Sequence, residues 1–172
     1  REYCDLAGIK HKPIILSHHM LYGLAKGQVK MSKSNKDSAI FMEDTPEDVE
    51  RKMRNAYCPL QPEDVEVRTE EQDMHLVTDQ LKNPCLDYVQ HIIFCMPGAT
   101  FSAEGKVYED FQSVRAAFLS GALTEDALKA GLISSVNKLL EPVRRHFKQD
   151  PEASRVLNLI TGWMKEPKAL RA

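Results

Sequence analysis

The chain has 172 residues, of which 42% are hydrophobic and 28% charged, with a formal net charge of −2. That suits one ordinary domain, or a small domain with a piece of another, with ample material for a core. The near-neutral charge excludes a protein that holds nucleic acid through its bulk field, so any RNA or phosphate contact must come from a local patch. No apolar run approaches about 20 residues, so no membrane span is expected.

The opening "REYCDLAGIK" reads as mid-helix, without an initiator methionine or the segments of a secretory leader, and we read the chain as a section of a longer protein. Cys4, Cys58, Cys85 and Cys95 have no Cys-x-x-Cys spacing and apolar neighbours, which predicts buried, reduced thiols of a cytosolic protein. No metal-ligating set is assigned. Ile14 to Leu16, entered at Pro13, reads as a buried strand left at the polar Ser17–His18–His19 cluster. Gly23 and Gly27 then punctuate a lysine-bearing loop. Everything after that loop reads as helix.

Thr45 caps a predicted helix with Pro46 at its first position, acids in its first turn and an end before Pro59. Its apolar face is Val49, Met53, Ala56 and Tyr57, and Glu47–Arg51 and Glu50–Arg54 are spaced as exposed ion pairs. The segment from Glu63 to Asp73 is acidic and aperiodic, an exposed insertion with no visible chemistry. Asn83 and Pro84 open a second helix that stops at Pro97–Gly98, its stripe Leu86, Val89, Ile93 and Met96 widened by Tyr88 and Ile92. A third places Tyr108, Phe111, Val114 and Phe118 on one face and ends at Gly121. Thr124 caps a fourth, with Leu128, Leu132, Val136, Leu139, Leu140, Val143 and Phe147 at helical spacing and Pro142 as a kink point. Asp150–Pro151 opens the last, striped by Val156, Leu159, Ile160 and Trp163. The fold class is therefore mainly α: a strand and loop over 1–44, then four or five helices over 45–172.

The chemistry is concentrated in Lys30–Met31–Ser32–Lys33–Ser34. Ammonium groups on a mobile loop can be aimed at negative charge as it develops on a leaving phosphate, each such contact being worth roughly 2–4 kcal/mol in a transition state. The five letters are common ones, and a solvated lysine loop is the bland alternative. The preceding strand, the flanking glycines and the capped helix that follows are the setting a phosphate lid needs.

Those five residues are the signature loop of class I aminoacyl-tRNA synthetases. With "HKPIILSHHMLYGLAKGQVKMSKS", "SAIFMEDT", "NPCLDY" and "VNKLLEPVRRHF" the chain resembles the tyrosyl-tRNA synthetases of archaeal and eukaryotic type over nearly its whole length. The resemblance implies that 1–44 is the C-terminal edge of a Rossmann-type catalytic domain and 45–172 a helical anticodon-binding-type domain. It implies ATP with Mg²⁺, tyrosine and tRNA(Tyr) as substrates, a cytoplasmic location, and a homodimer or a fused pseudo-dimer with a second synthetase copy. Lys30 and Lys33 are then the catalytic phosphate ligands, Ser32 and Ser34 donors to the same oxygens, and Met31 an adenine neighbour. Met20 and Leu21 match an apolar pair beneath adenine, plain core packing being the alternative, while His18 and His19 read as surface histidines.

The family's partner motif, His-x-Gly-His, is absent here and the tyrosine pocket is not visible, so these residues alone are expected to be inactive. An inactive RNA-binding or interaction module derived from a synthetase is the alternative function. Where the family carries His-Pro-x-Asp for reading the anticodon, this chain has Thr124, Glu125, Asp126 and Ala127, with Asp126 one residue early. Phe101 stands near a base-stacking aromatic of the family, or is an ordinary packed loop residue. Arg144 and Arg145 are tRNA-phosphate candidates, or simply a solvated basic cluster at a helix end.

Overall fold

A computed structural model describes residues 2–11, 14–28, 30–31, 35–60 and 83–165, the side chains of 164 and 165 excepted. In chain order they form α1 (Glu2–Leu6), α2 (Pro46–Asn55), α3 (Pro84–Tyr88) running into a π-helical turn (Val89–Ile93), β1 (Phe101–Ala103), β2 (Lys106–Tyr108), α4 (Phe111–Leu119), α5 (Glu125–Gln149) and α6 (Pro151–Lys165). The acidic segment from Glu63 to Asp73 lies outside the described residues.

The predicted caps form. Thr45 Oγ1 accepts from the Asp48 N–H and the Asp48 carboxylate accepts from the Thr45 N–H, a complete capping box. Asn83 Oδ1 accepts from the Cys85 and Leu86 N–H groups, and Thr124 accepts from the Ala127 N–H. Each satisfies donors that a helix start otherwise leaves unpaired. Helix α5 is the spine: it touches α2, α3, β1 and α6, and carries on through Pro142. Leu128, Leu132, Val136 and Leu140 line its buried face, against a core that includes Val49 and Met53 of α2, Val89 of the π turn, Phe101, and Val114 and Phe118 of α4.

Four expectations are corrected. The stretch from Phe101 to Tyr108 is a β-hairpin: Phe101 pairs with Tyr108 and Ala103 with Lys106 across Glu104–Gly105, whose φ values of 51° and 75° suit a tight two-residue turn. Tyr108 therefore belongs to β2, and α4 begins after its cap at Asp110. Ile14 to Leu16 form no strand and are largely exposed, Leu16 at 92%, because no described strand pairs with them and a ladder cannot form alone. The Cys95 thiol is exposed, since Cys95 and Met96 lie beyond the end of the π turn at Ile93, where the chain leaves the core. Arg51 pairs with Asp37 (2.7 Å) and Asp48 (3.2 Å) instead of Glu47, while Glu50–Arg54 forms as spaced. The stripe on α6 exists but is uncovered, with Trp163 64% exposed.

The tightest helix–hairpin approach is at Gly131 of α5, where an added Cβ would sit 2.6 Å from Phe101 Cζ and 2.7 Å from the Ser102 carbonyl oxygen. A backbone oxygen cannot rotate away, so the substitution must separate hairpin and helix. Gly131→Ala is expected to lower stability by about 1–3 kcal/mol in urea denaturation, despite the better helix propensity of alanine. An unchanged or raised midpoint would show that the hairpin yields freely.

Candidate functional site

Leu24 is buried, and both of its backbone polar groups are used. Its N–H donates to the Ser38 carbonyl (2.9 Å) and its carbonyl accepts from the Tyr57 N–H (2.8 Å). Residues 24 and 38 are thus fastened together, which closes the intervening span at its base and ties that base to the end of α2. A smaller ring overlaps its start: the Gly23 N–H donates to the Gln28 carbonyl (3.1 Å), and the Gln28 N–H to that of Ala25 (3.2 Å). Gly27, at φ 72°, supplies the left-handed residue this ring needs. On the returning limb Asn35 caps a short 3₁₀ turn, Lys36–Ser38, its side chain accepting from the Asp37 N–H.

Of the predicted phosphate-loop residues, Lys30 is exposed and Met31 is half-buried against the core. Ser32, Lys33 and Ser34 lie outside the described residues. Met20 is exposed, whereas Leu21 packs against the core.

The limb beyond the loop is held by a charge that no sequence pattern singles out. Lys52 lies in the buried face of α2. Its Nζ reaches both carboxylate oxygens of Asp44 (2.8 and 2.7 Å) and the Ala39 carbonyl (3.1 Å), and sits 4.7 Å from the Phe41 ring centre. From α5, Arg144 Nε donates to the Asp44 carbonyl (2.8 Å). A buried ammonium is tolerated only when its donors are met, and here they are.

The limb before the loop is clamped by Asp87 of α3, whose side chain is 2% exposed. Its Oδ1 lies 2.7 Å from His19 Nε2, and its Oδ2 accepts from the Tyr22 N–H (3.0 Å). Burial, and next the Asp87 charge, raise the Tyr22 pKa above the ordinary tyrosine value. His91, one turn after Asp87, stacks on the His19 ring at 3.9 Å with its Nε2 3.7 Å from Asp87 Oδ1. That Nε2 is buried without a hydrogen-bond partner. His19 is thus a partly buried, bonded residue and not the surface histidine expected; His18 is exposed. Sequence reasoning missed this cluster because 68 positions separate His19 from Asp87; the Asp87–His91 spacing along one helix was the only local signal.

The tRNA candidates separate. Phe101 is fully buried between Gly131 and Tyr108, so neither ring face is open to a base, and packing is the role it has here. Asp126 is exposed in the first turn of α5, while Ala127 beside it is buried. Arg145 is exposed and pairs loosely with Glu141 (3.6 Å), whereas half-buried Arg144 is engaged with Asp44.

A family profile for class I tRNA synthetases (W and Y) matches residues 1–141. The cytoplasmic tyrosine–tRNA ligase 1 of Arabidopsis thaliana is 43% identical over 95% of this chain, which covers 40% of that protein. The tyrosyl-tRNA synthetase of Leishmania major, solved with tyrosinol, superposes with a TM-score of 0.79 at 49% identity, over 98% of this chain and 25% of that one. The Pyrococcus horikoshii enzyme with L-tyrosine gives 0.62 at 31% identity, over 82% and 40%. This chain therefore spans less than half the length of these relatives.

Removing one partner of the Lys52–Asp44 pair should expose its cost. Asp44→Ala strands a buried ammonium and is expected to destabilise by about 3–5 kcal/mol. Adding Lys52→Met should recover most of that loss in equilibrium urea unfolding. Purely additive losses would mean that the pair is not coupled.

Proposed function

Because the chain belongs to the class I tRNA synthetases of the tryptophan and tyrosine group, we propose that it is a section of a tyrosine–tRNA ligase, supplying the ATP-phosphate loop and the helical tRNA-binding domain. Residues 1–44 are the edge of the Rossmann-type catalytic domain, and 45–172 the anticodon-binding-type domain. The observation that carries this reading is the loop closed at Leu24 and Ser38, which holds the span around Lys30 on a base tied to α2. The tyrosyl names of the relatives at 43% and 49% identity support tyrosine as the amino acid.

In the first step the tyrosine carboxylate oxygen attacks the ATP α-phosphorus, and the bond to the bridging oxygen breaks as pyrophosphate leaves with its Mg²⁺. Negative charge then grows on the β- and γ-phosphates. Lys30 and Lys33 bring ammonium groups to that charge, and Ser32 and Ser34 donate to the same oxygens. The closed base of the loop lowers the entropy lost in aiming them. Met20, Leu21 and Met31 offer apolar contact to adenine. In the second step a terminal ribose hydroxyl of the tRNA attacks the tyrosyl carbonyl and AMP leaves, with exposed Arg145 as an available contact to the tRNA.

The assembly is a homodimer or a fused pair of synthetase copies in the cytoplasm. One observation favours the fused form, in which each copy is free to lose one of its two roles. This copy presents a buried Ala127 where the family's base-reading acid stands.

In tyrosine-dependent ATP–pyrophosphate exchange with the complete protein, Lys33→Ala is expected to reduce the rate by about 10²–10³-fold, as removal of a transition-state donor does. An unaltered rate would remove Lys33 from the mechanism. Asp126→Ala should leave aminoacylation nearly unchanged if this copy does not read the anticodon. A loss beyond about tenfold in kcat/KM for tRNA, some 1.4 kcal/mol, would sink the division of labour.

A further inference from the structure

We propose that His19, Asp87 and His91 form a binding site for a divalent transition cation of the zinc class. Such a cation would staple the segment ahead of the phosphate loop to the helical layer. The proposal uses none of the residues assigned to ATP or tRNA and stands apart from the ligase reading.

The donor set comes first. Two imidazole nitrogens and one carboxylate oxygen are what Zn²⁺, Co²⁺ and Ni²⁺ select, whereas Mg²⁺ and Ca²⁺ take oxygen ligands. The three donor atoms lie within 4.8 Å of one another, the one such group of histidine, cysteine and acidic side chains among the described residues. Bonds of about 2.0–2.2 Å to one ion set the donors roughly 3.0–3.5 Å apart. The 2.7 Å His19–Asp87 separation must open and the 3.7 Å His91–Asp87 separation must close, each by well under 1 Å. The two rings, stacked 3.9 Å apart, must also splay so that a nitrogen of each points at the one ion.

The surroundings match those of a ligand sphere. Asp87 is buried and its second oxygen is fixed by the Tyr22 N–H, the kind of outer hydrogen bond that orients a ligating carboxylate. The π-helical turn that starts at Val89 carries His91, and single π turns are frequent at functional sites.

The simpler alternative, a histidine–carboxylate hydrogen bond, accounts for His19 and not for His91. It leaves His91 Nε2 buried and unpartnered beside a carboxylate, a desolvation cost with no return. A cation satisfies that nitrogen. It also makes the stacked imidazoles co-ligands of one charge, and leaves a remaining position to water.

The test uses the complete, untagged protein carrying Cys95→Ser and treated with chelator. Zn²⁺ titration by calorimetry should show one equivalent bound with a Kd on the order of 1–10 μM, and added Zn²⁺ should raise the Tm. His91→Gln and His19→Gln should each weaken binding by at least about tenfold and abolish the Tm rise, with the metal-free Tm of His91→Gln held or raised. Co²⁺ should give a weak visible d–d band that both variants lose. Three results would overturn the proposal: no saturable binding below about 100 μM, affinity unchanged in both variants, or an intense near-ultraviolet thiolate-to-cobalt band placing the ion on cysteine.

Discussion

A buried peptide group must find partners, and at Leu24 that requirement organises the layer that bears Lys30. One residue in the core spends its N–H on Ser38 and its carbonyl on Tyr57. The base of the loop and the end of α2 thereby become one piece. The side chain contributes as well, since a fully buried leucine is worth about 1.5–3 kcal/mol of transfer free energy. The anchor is therefore apolar and polar at the same position.

On either side of that anchor the connections run through buried carboxylates. Asp87 grips the limb before the loop, and the Lys52–Asp44 pair grips the limb after it. Both carboxylates are almost fully buried, and both also bond main-chain groups: Asp87 Oδ2 accepts from the Tyr22 N–H, and Asp44 Oδ2 from the Phe41 N–H. Burying a charge is costly, so such contacts add less to net stability than an equal apolar surface would. What they add is direction, because a carboxylate with fixed donors admits one arrangement where a greasy contact admits several.

Features with local causes were legible in the sequence. The caps at Thr45, Asn83 and Thr124 and the prolines after the first two were readable because the donors they satisfy are two or three residues away. The buried stripe Leu128–Leu132–Val136–Leu140 was readable from period alone. The hairpin was not, since its three-residue strands are shorter than any periodicity test and Glu104 is an unusual residue for a positive φ. Ile14 to Leu16 has the composition of a strand, but strand formation is a property of neighbours. Phe101 shows the same limit from the functional side: an aromatic near a suspected binding surface says nothing of which way it faces. The His19–Asp87–His91 cluster depends on a fold-back that no local pattern encodes.

The ties that hold the loop-bearing layer join residues far apart in sequence: 68 positions for His19 to Asp87, 75 for Lys129 to the Arg54 carbonyl, 100 for Arg144 to the Asp44 carbonyl. By contrast, the hairpin, α4 and α5 follow one another within about 50 residues and share one core. Closing a long loop costs chain entropy before any contact rewards it. The hairpin–helix unit can therefore assemble first as a template, with the layer that presents the lysines docking onto it last. What arrives last in such an order is also released first, so the loop-bearing layer is the part whose opening leaves the rest of the core intact.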